Sequence, residues 1–410
     1  MFKRIFLLVL DGVGIGASPD ADKYDDKGCN TLAHTIEKRY NLDVLEKLGL
    51  TKLIGHEEED TRGLYMRAKP INKLKDSLNG HYELMGCVSN VEYKTYPDGF
   101  PIELIKEIEE ATQRTVIGNI AADGEILINQ LGEMQIEQKA IIIYTSCDSV
   151  LQVAAHEDII SPYELYKICE KIRMIVDRNN YGIGRIIARP FTGKNGRFIR
   201  TSRRKDFALN PPKNVLDILK ENQIQTICIG KIGDMFNNQG IFFSIKTKDN
   251  IDTMLKVVDF AKGEFNGLLF ANFNDFDSTY GHRRDKEGFL KALEEFNFYL
   301  PILIKKLKKD DLLIITADHG NDPTYKGTDH TREYVPILIY SKKFKTGKML
   351  KDRETFADVG ATILDNFNIK NTLELGTSIF DELRKDEEAW KSCFFLYKTN
   401  LEYNNLICYT

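Results

Sequence analysis

The sequence has little of what marks membrane proteins, nucleic-acid binders and disordered chains. No uninterrupted apolar run approaches the roughly 18 residues that a membrane-spanning helix requires. Positive charge is not in excess, because 57 Lys and Arg stand against 61 Asp and Glu, and this balance excludes the electrostatic footprint of a dedicated nucleic-acid binder. Proline is scarce, at 11 of 410 residues, and with 42% hydrophobic residues the composition indicates a chain that buries a core. We therefore expect neither a membrane nor a nucleic acid as partner.

Two features of the sequence favour the cytoplasm. The N-terminal apolar run Ile5–Leu10 ends at Asp11 without a small-residue cleavage site, so it predicts a first strand rather than a signal peptide. The seven cysteines are odd in number and form no C-x-x-C pair, which favours reduced thiols over a disulfide framework or a zinc knuckle. We expect a soluble, cytoplasmic protein whose cysteines have no catalytic role. They are Cys29, Cys87, Cys147, Cys169, Cys228, Cys393 and Cys408.

Short apolar runs alternate with amphipathic segments, the pattern of parallel strands buried on both faces by helices. The sequence thus predicts an α/β fold with a mostly parallel sheet sandwiched by helices. The predicted strands are Ile5–Leu10, Ala140–Tyr144, Arg185–Ala188, Thr226–Ile229, Leu268–Phe273, Leu312–Thr316 and Val335–Ile339. The predicted helices are Thr31–Arg39, Ile102–Ala111, Ser161–Arg178, Asn214–Glu221, Ile251–Ala261, Lys286–Lys308 and Thr355–Asn366. Pro301 should kink or split the longest of these helices.

The length and a change of composition predict two packed units, one inserted in the other. Within 91–207 the chain has many Tyr, Lys, Arg and Gly residues and fewer strongly apolar runs. We interpret 91–207 as an inserted, smaller α/β cap and 1–90 with 208–383 as the core. The residues 384–410 form a tail to which the sequence assigns no role.

Polar residues follow several of the predicted strands. Ligands of open parallel sheets bind beyond the carboxyl ends of the strands, so these residues predict one common site. They are Asp11, Lys231, Asp275, Asp277, Asp318 and His319. Carboxylate and imidazole suit Zn²⁺ or Mn²⁺, and two such ions about 3.5–4 Å apart assist phosphoryl transfer. An aspartate beside a histidine, as in Asp318-His319, is by itself equally compatible with a surface turn.

The segment around Ser77 offers a nucleophile. Ser77 can open a helix, where free backbone N–H groups favour a phosphoryl group, and a metal would lower the pKa of its hydroxyl. An ordinary helix cap is the alternative interpretation of Asp76-Ser77. The glycines of Gly12–Gly16 do not fit G-x-G-x-x-G and no Walker lysine follows, so we reject dinucleotide binding.

Several motifs together resemble a known family in their order and spacing. They are Asp11–Gly16 (DGVGIG), Asp76-Ser77, Gly80-His81, Asp277, Gly281–Asp285 (GHRRD), Thr316–Pro323 (TADHGNDP) and Gly327–Glu333 (GTDHTRE). The chain resembles the phosphopentomutases of the bacterial type, a family of the alkaline phosphatase superfamily that also includes cofactor-independent phosphoglycerate mutase. The resemblance runs from Phe2 to about Leu383 and implies an alkaline phosphatase-like core with an inserted cap.

The resemblance also implies roles for particular residues. One Mn²⁺ would be held by Asp11, Ser77, Asp318 and His319, and a second by Asp277, His282 and His330. Ser77 would carry the phosphoryl group. The substrate would contact Ser146 and Asp148 at the ribose hydroxyls, Arg185, Arg200 and Lys231 at the distal phosphate, and Ile187. Guanidinium and ammonium groups suit a phosphate chemically. Mg²⁺, Co²⁺ or Zn²⁺ can replace Mn²⁺ at such ligands.

The activity implied is the interconversion of ribose 1-phosphate and ribose 5-phosphate, and of the deoxyribose pair, in nucleoside salvage. A sugar 1,5-bisphosphate would serve as activator and intermediate, and we expect a monomer acting on small-molecule pentose phosphates. The chain departs from the family at Gly12, Ser77, Asn79 and 118–125. The alternatives are a mutase for another sugar phosphate, a phosphomonoesterase of the same superfamily, or a degenerate member that only binds.

Overall fold

The computed structural model describes residues 1–36, 40–57, 60–88, 94–146 and 149–383. The strands, numbered in chain order, are β1 Arg4–Leu10, β2 Leu64–Ala68, β3 Val116–Ala121, β4 Ile141–Thr145, β5 Val150–His156, β6 Arg185–Lys194, β7 Arg197–Arg200, β8 Lys205–Ala208, β9 Gln225–Ile229, β10 Phe243–Ile245, β11 Gly267–Phe273, β12 Asp311–Thr316, β13 Val335–Tyr340 and β14 Lys348–Met349. The helices are α1 Thr31–Thr35, α2 Asp43–Lys47, α3 Ser77–Leu84, α4 Ile102–Thr112, α5 Gly124–Gln138, α6 Pro162–Arg178, α7 Val215–Glu221, α8 Ile232–Met235, α9 Asn250–Lys262, α10 Lys286–Lys306 and α11 Ala357–Asn366. Short 3₁₀ turns cover Ala21–Tyr24 and Thr51–Ile54, and a π-helical turn covers Phe276–Gly281.

The chain folds into two units. Unit 1 takes in the described residues of 1–89 and 211–383, and unit 2 those of 90–210. Unit 1 contains an eight-stranded sheet in the order β10-β9-β11-β1-β12-β13-β2-β14. The first five of these strands are mutually parallel, and β13 runs antiparallel to both of its neighbours. The predicted α/β class, with a mostly parallel sheet between helices, is therefore confirmed.

Burial explains why the central strands of unit 1 were visible in the sequence. β1, β11 and β12 are buried along their whole length, so they read as continuous apolar runs. In the longest helix, α10, Leu300 and Leu303 pack on the core on either side of Pro301. The helix continues through Pro301, so the proline does not split it.

Unit 2 has a smaller mixed sheet of its own. Its order is β3-β4-β5-β6-β7, with β8 paired to β6, and parallel and antiparallel neighbours alternate along the path. α4 and α6 pack on one apolar cluster of this unit, and a second cluster lies with α5. Unit 2 therefore has its own core.

At the amino-terminal edge of the unit 1 sheet, a buried ion pair ties β1 to β12. Arg4 is 1% exposed and donates from Nε to Asp311 Oδ1 over 2.7 Å, and from Nη1 to the carbonyl of Gly263 over 2.7 Å. Because a charge buried in the core is stable only with its partners, this network fixes the start of β1 beside the loop that leads into β11.

In the part of the chain that the structure describes, no helix combines the length and the apolar character needed to cross a membrane.

Candidate metal centre

Three neighbouring parallel strands carry the acidic residues to one edge of the sheet. β1 lies between β11 and β12, with Leu10 paired to Phe273 and Val9 paired to Thr316. Asp11 follows β1 directly, and Asp277 and Asp318 follow the ends of β11 and β12 within four residues. Because these strands are parallel and in register, their carboxyl ends coincide and the polar side chains that follow them converge.

The first cluster comprises Asp11, Asp318 and His319, all of them buried. His319 Nε2 lies 3.3 Å from Asp11 Oδ1 and 3.5 Å from Asp318 Oδ2. The backbone N–H of Gly12 donates to Asp318 Oδ1 over 3.1 Å, which fixes that carboxylate beside the end of β1. The three side chains present oxygen and nitrogen atoms within 4.8 Å of one another, as a divalent cation requires.

The second cluster comprises Asp277, His319 and His330. His330 Nε2 lies 3.2 Å from Asp277 Oδ1, and His282 Nε2 lies 3.2 Å from Asp277 Oδ2. The rings of His319 and His330 are 4.0 Å apart between centroids, and those of His282 and His330 are 4.6 Å apart. His319 therefore belongs to both clusters, which places the two candidate cation sites side by side.

The electrostatics of the clusters fit bound cations. Burial raises the pKa of Asp11, and the negative charge of Asp318 raises it further. Burial lowers the pKa of His319, but the surrounding carboxylates outweigh this and hold it well above its ordinary value. Asp318 Oδ2 and His330 Nε2 are buried without a hydrogen bond of good geometry among the described residues. A divalent cation would both neutralise the carboxylates and give these two atoms a partner.

Ser77 lies at the first turn of α3 and points into the first cluster. Its hydroxyl donates to Asp11 Oδ1 over 3.1 Å and lies 3.0 Å from His319 Nε2. Asp76 caps the helix, because its carboxylate accepts from the backbone N–H of Asn79 over 3.0 Å. The prediction that Ser77 opens a helix is confirmed, and the ordinary cap turns out to be the residue before it.

His81 and Asn272, to which the sequence analysis gave no role, hold the side chains of the first cluster in position. His81 is buried, with Nδ1 at 2.8 Å from the carbonyl of Ser77 and 3.0 Å from Asp318 Oδ2. Its Nε2 faces the amide of Asn272 at 3.3 Å, and that amide donates to Asp11 Oδ2 over 2.9 Å. The signal for Asn272 was present in the sequence, since an amide inside the apolar run of β11 must find a buried partner.

Close packing holds α3 against the metal-binding edge. A Cβ atom added at Gly80 would approach the Asp318 carbonyl oxygen to 2.1 Å, so only glycine permits this distance between helix and strand. Further along α3, the buried Glu83 carboxylate accepts from the backbone N–H groups of Asn72 and Phe356 and from the hydroxyl of Thr355. These contacts fix the helix that carries Ser77.

Lys231 and Asp275 also follow the carboxyl ends of strands, but they are not members of the two clusters. Both line a cavity of about 180 Å³ beyond the ends of β9 and β11, and Asn272 also lines it. Asp275 accepts from the backbone N–H of Asn250 over 2.8 Å. The carboxyl ends of the strands thus carry the two candidate cation-binding clusters and, next to them, a cavity that Lys231 lines.

Unit 2 holds the other predicted substrate residues. Ser146 follows β4 and is half-buried, Arg185 is exposed at the start of β6, and Ile187 is buried on the same strand. Arg200 Nη2 donates to the phenol oxygen of Tyr144 over 3.0 Å, while its Nε is buried without a hydrogen-bond partner among the described residues. The remaining residue, at 148, lies outside the described residues.

A group of arginines surrounds Arg200 on unit 2. Burial lowers the pKa of Arg189, and the positive charges of Arg204 and Arg200 lower it further. Arg189 Nε donates to Gln152 Oε1 over 2.9 Å, so the side chain is held in place. One carboxylate already lies in this group, because Arg204 donates to both oxygens of Asp206 over 2.6 Å. Guanidinium groups also suit an anionic ligand chemically. The sequence analysis quoted Arg189 within a segment but gave it no role.

Comparison with known proteins identifies the family. Residues 3–371 match the sequence family described as the metalloenzyme superfamily. This chain belongs to the metalloenzyme superfamily. The metal-type clusters described above lie within the matched residues.

Three solved structures show the range of proteins that this metalloenzyme is similar to. A phosphoglycerate mutase of Leishmania mexicana, studied at low cobalt concentration, is 14% identical with a TM-score of 0.47, over 92% of this chain and 98% of that one. A protein of Pyrococcus horikoshii is 13% identical with a TM-score of 0.46, over 91% and 98% of the two chains. An alkaline phosphatase of the Antarctic bacterium TAB5 is 13% identical with a TM-score of 0.36, over 90% and 99%.

The contacts of Asn272 in the metalloenzyme lead to a prediction about metal affinity. In the Asn272→Ala variant, Asp11 loses the amide that orients its carboxylate, and we expect the affinity for Mn²⁺ to fall by about 10–100-fold, as for other groups that orient metal ligands. Isothermal titration calorimetry measures this. Asn274→Ala is the control, because that amide bonds the hydroxyl of Ser278 instead. Equal affinities in the parent and in Asn272→Ala would contradict the assignment.

The contacts of Glu83 lead to a prediction about stability. The Glu83→Ala variant leaves several buried donors without an acceptor, and we expect a loss of about 3 kcal/mol in the free energy of unfolding. Urea denaturation followed by circular dichroism measures the loss. Glu382→Ala is the control, because among the described residues its half-exposed carboxylate makes a single 3.5 Å contact, with Arg353, and its cost should stay below about 0.5 kcal/mol. Similar costs for the two variants would show that Glu83 does not anchor α3.

Proposed function

We propose that this metalloenzyme is a phosphopentomutase, which interconverts ribose 1-phosphate and ribose 5-phosphate and the corresponding 2-deoxyribose phosphates. The observation that carries the proposal is the position of Ser77, whose hydroxyl contacts both Asp11 and His319 at the start of a helix. A nucleophile needs a group that activates it and a site that stabilises the transferred phosphoryl group, and Ser77 has both. The pentose is proposed from the sequence motifs that resemble the bacterial phosphopentomutases.

The proposed cation ligands follow the two clusters. Asp11, Ser77, Asp318 and His319 would hold one Mn²⁺. Asp277, His282 and His330 would hold the other, with His319 close by. The donor set fits, since it consists of carboxylate and imidazole groups that suit Mn²⁺ and also Mg²⁺, Co²⁺ or Zn²⁺. When bound, the ions would lower the pKa of the serine hydroxyl and neutralise charge on the phosphoryl oxygens.

The proposed reaction passes one phosphoryl group through Ser77. The bond between phosphorus and Ser77 Oγ breaks, a bond to the free hydroxyl oxygen of the pentose monophosphate forms, and the proton of that hydroxyl ends on Ser77 Oγ. In the return transfer the proton of Ser77 Oγ ends on the sugar oxygen that loses its phosphoryl group. The resulting 1,5-bisphosphate turns over, and its other phosphoryl group returns to Ser77 Oγ. The product is the isomeric monophosphate, and the phosphoserine is restored. A sugar 1,5-bisphosphate therefore also serves as activator of the unphosphorylated protein.

The chain's own residues supply orientation at both ends of the substrate. At the reacting end, the first turn of α3 presents backbone N–H groups and a partial positive charge to the phosphoryl group. For the distal phosphate we propose Lys231 and the arginines Arg185 and Arg200, whose forked donors match phosphate oxygens. The buried, unpartnered Nε of Arg200 supports this, because such a donor is costly without an acceptor.

Phosphopeptide mapping tests the proposed nucleophile. The purified protein is loaded with Mn²⁺, incubated with ribose 1,5-bisphosphate, digested and analysed by mass spectrometry. We expect the phosphate on Ser77 and its disappearance in Ser77→Ala, with labelling unchanged in Ser378→Ala, whose hydroxyl bonds Asp365 away from the clusters. Phosphate on another residue, or no phosphate in a protein that binds the metal, would contradict the proposal.

A further inference from the structure

An exposed apolar groove lies at the amino-terminal ends of the unit 1 strands, whereas the metal centre lies at their carboxyl ends. It occupies about 520 Å³ near the amino-terminal ends of β9, β10 and β11, and four phenylalanines are among the residues that line it. Phe242 is 71% exposed and Phe243 is 49% exposed, and the ring of Phe243 lies 6.4 Å from that of Phe260. β10 is also the last strand of the sheet, so this edge is open among the described residues. Large apolar side chains grouped at an open sheet edge indicate a docking surface.

The described part of the chain ends close to this groove. The ring of Phe380 lies 6.4 Å from that of Phe2, and the last described residue, Leu383, is buried in the same core. Lys3, next to Phe2, pairs with Glu264 over 3.5 Å, and Glu264 lines the groove. Contacts from Phe380 to Phe2, and from the adjacent Lys3 to Glu264, thus connect the last described residues to the wall of the groove.

The composition of the residues 384–410 complements the groove. The apolar block 393–397 reads CFFLY, and Lys391 and Lys398 flank it. The groove is apolar at its centre and has Asp259 and Glu264 among the residues that line it. The nine residues between 383 and 393 can span up to about 30 Å when extended, which is ample for neighbouring elements of one sheet edge. The apolar character of the block matches that of the groove, whereas both carboxylates already have lysine partners. Asp259 lies 2.7 Å from Lys262, and Glu264 pairs with Lys3 and Lys308.

We propose that the block 393–397 of this same chain docks in the groove, with its aromatic side chains against Phe242, Phe243 and Phe260. Docking would remove apolar surface of both partners from water, which is the main favourable contribution to such an association. It would also cover the open edge of the sheet at β10. The inference is independent of the proposed function, because the groove and the metal centre lie at opposite ends of the strands.

The single tryptophan of the chain, Trp390, provides the probe. It lies three residues before the proposed block, so its fluorescence reports docking in the full-length protein without any label. We expect blue-shifted emission and weak acrylamide quenching in the parent. In the double variant Phe242→Asp with Phe243→Asp, the emission should shift to that of a solvent-exposed indole. Phe298→Asp is the matched control, because Phe298 is 70% exposed on α10 and should leave the emission of Trp390 unchanged.

Two results of the fluorescence experiment would overturn the proposal. Solvent-like emission in the parent, or emission that the double variant leaves unchanged, would show that the tail does not occupy the groove. Circular dichroism and Mn²⁺ binding establish that the double variant remains folded, since both replaced rings lie at the surface.

A disulfide test distinguishes this chain's tail from that of a second copy. In Phe243→Cys, mild oxidation should link position 243 to Cys393 within one chain, and the product should run as a monomer in non-reducing electrophoresis. A disulfide that appears only between chains and increases with protein concentration would contradict docking within one chain and would assign the groove to a second copy.

Discussion

Replacing Ser77 with alanine is expected to reduce the proposed isomerisation of ribose 1-phosphate by about 10³-fold or more, because the variant lacks the hydroxyl that we propose as the nucleophile. The hydroxyl contacts Asp11 at 3.1 Å and His319 at 3.0 Å. The methyl group of alanine can make neither hydrogen bond. A steady-state assay with Mn²⁺ and a trace of sugar bisphosphate measures the rate.

Metal binding and a second serine variant serve as controls for this prediction. Ser77→Ala retains the carboxylates and imidazoles of both clusters, so it should still bind Mn²⁺, although more weakly at the first site. Ser378→Ala should retain the parent's activity, because Ser378 contacts Asp365 in a different part of unit 1. A Ser77→Ala protein as active as the parent would exclude Ser77 as the nucleophile.

Replacing Asp277 with asparagine is expected to abolish the second cation site. Asp277 is the one carboxylate of that cluster, and it lies within 3.2 Å of both His282 and His330. Burial raises the pKa of Asp277, but the hydrogen bonds from the two histidines outweigh burial, so the pKa is lowered and the group is ionised at neutral pH. The isosteric change removes this charge, and we expect the metal content to fall from two ions to one, with activity lost by about 10³-fold.

Asp329→Asn is the matched control for Asp277→Asn. Asp329 precedes the proposed ligand His330, and its side chain is 74% exposed and lies 3.4 Å from Lys75. Its Oδ1 accepts from the backbone N–H of His330 over 2.9 Å, a bond that the amide oxygen of asparagine can keep. Its replacement should leave the metal content unchanged in inductively coupled plasma mass spectrometry. Equal metal contents in Asp277→Asn and the parent would contradict the assignment of the second site.

The sequence was sufficient to predict the strands that position the site. β1, β11 and β12 are buried on both faces, so hydrophobic runs end abruptly at polar residues such as Asp11. Among the missed strands, β5 has seven residues and is buried throughout, but Gln152 and His156 interrupt its apolar run. The other missed strands are short or half-exposed. β3, for example, contains Gly118 and Asn119 with positive φ and a register shift against β4, which interrupts its apolar pattern.

The members of the metal-type clusters were predicted, but their arrangement was not. The sharing of His319 by both clusters depends on how the segments after β12 and before β13 fold back, and no local pattern encodes this. The support from Asn272 and His81 likewise depends on packing between α3 and β11. The cavity that Lys231 lines could not be derived from the sequence, because strand order decides which strand ends are adjacent, and β9 lies on the far side of β11 from β1.

The central claim is that this metalloenzyme moves a phosphoryl group between two positions of a pentose without losing it to water. One coupled assay tests it, with purified protein, Mn²⁺, ribose 1-phosphate and a trace of ribose 1,5-bisphosphate, in which ribose 5-phosphate and free phosphate are followed together. The account predicts ribose 5-phosphate with no accompanying release of phosphate. Release of phosphate without ribose 5-phosphate would contradict the mutase and would indicate a phosphomonoesterase that uses the same serine and cations.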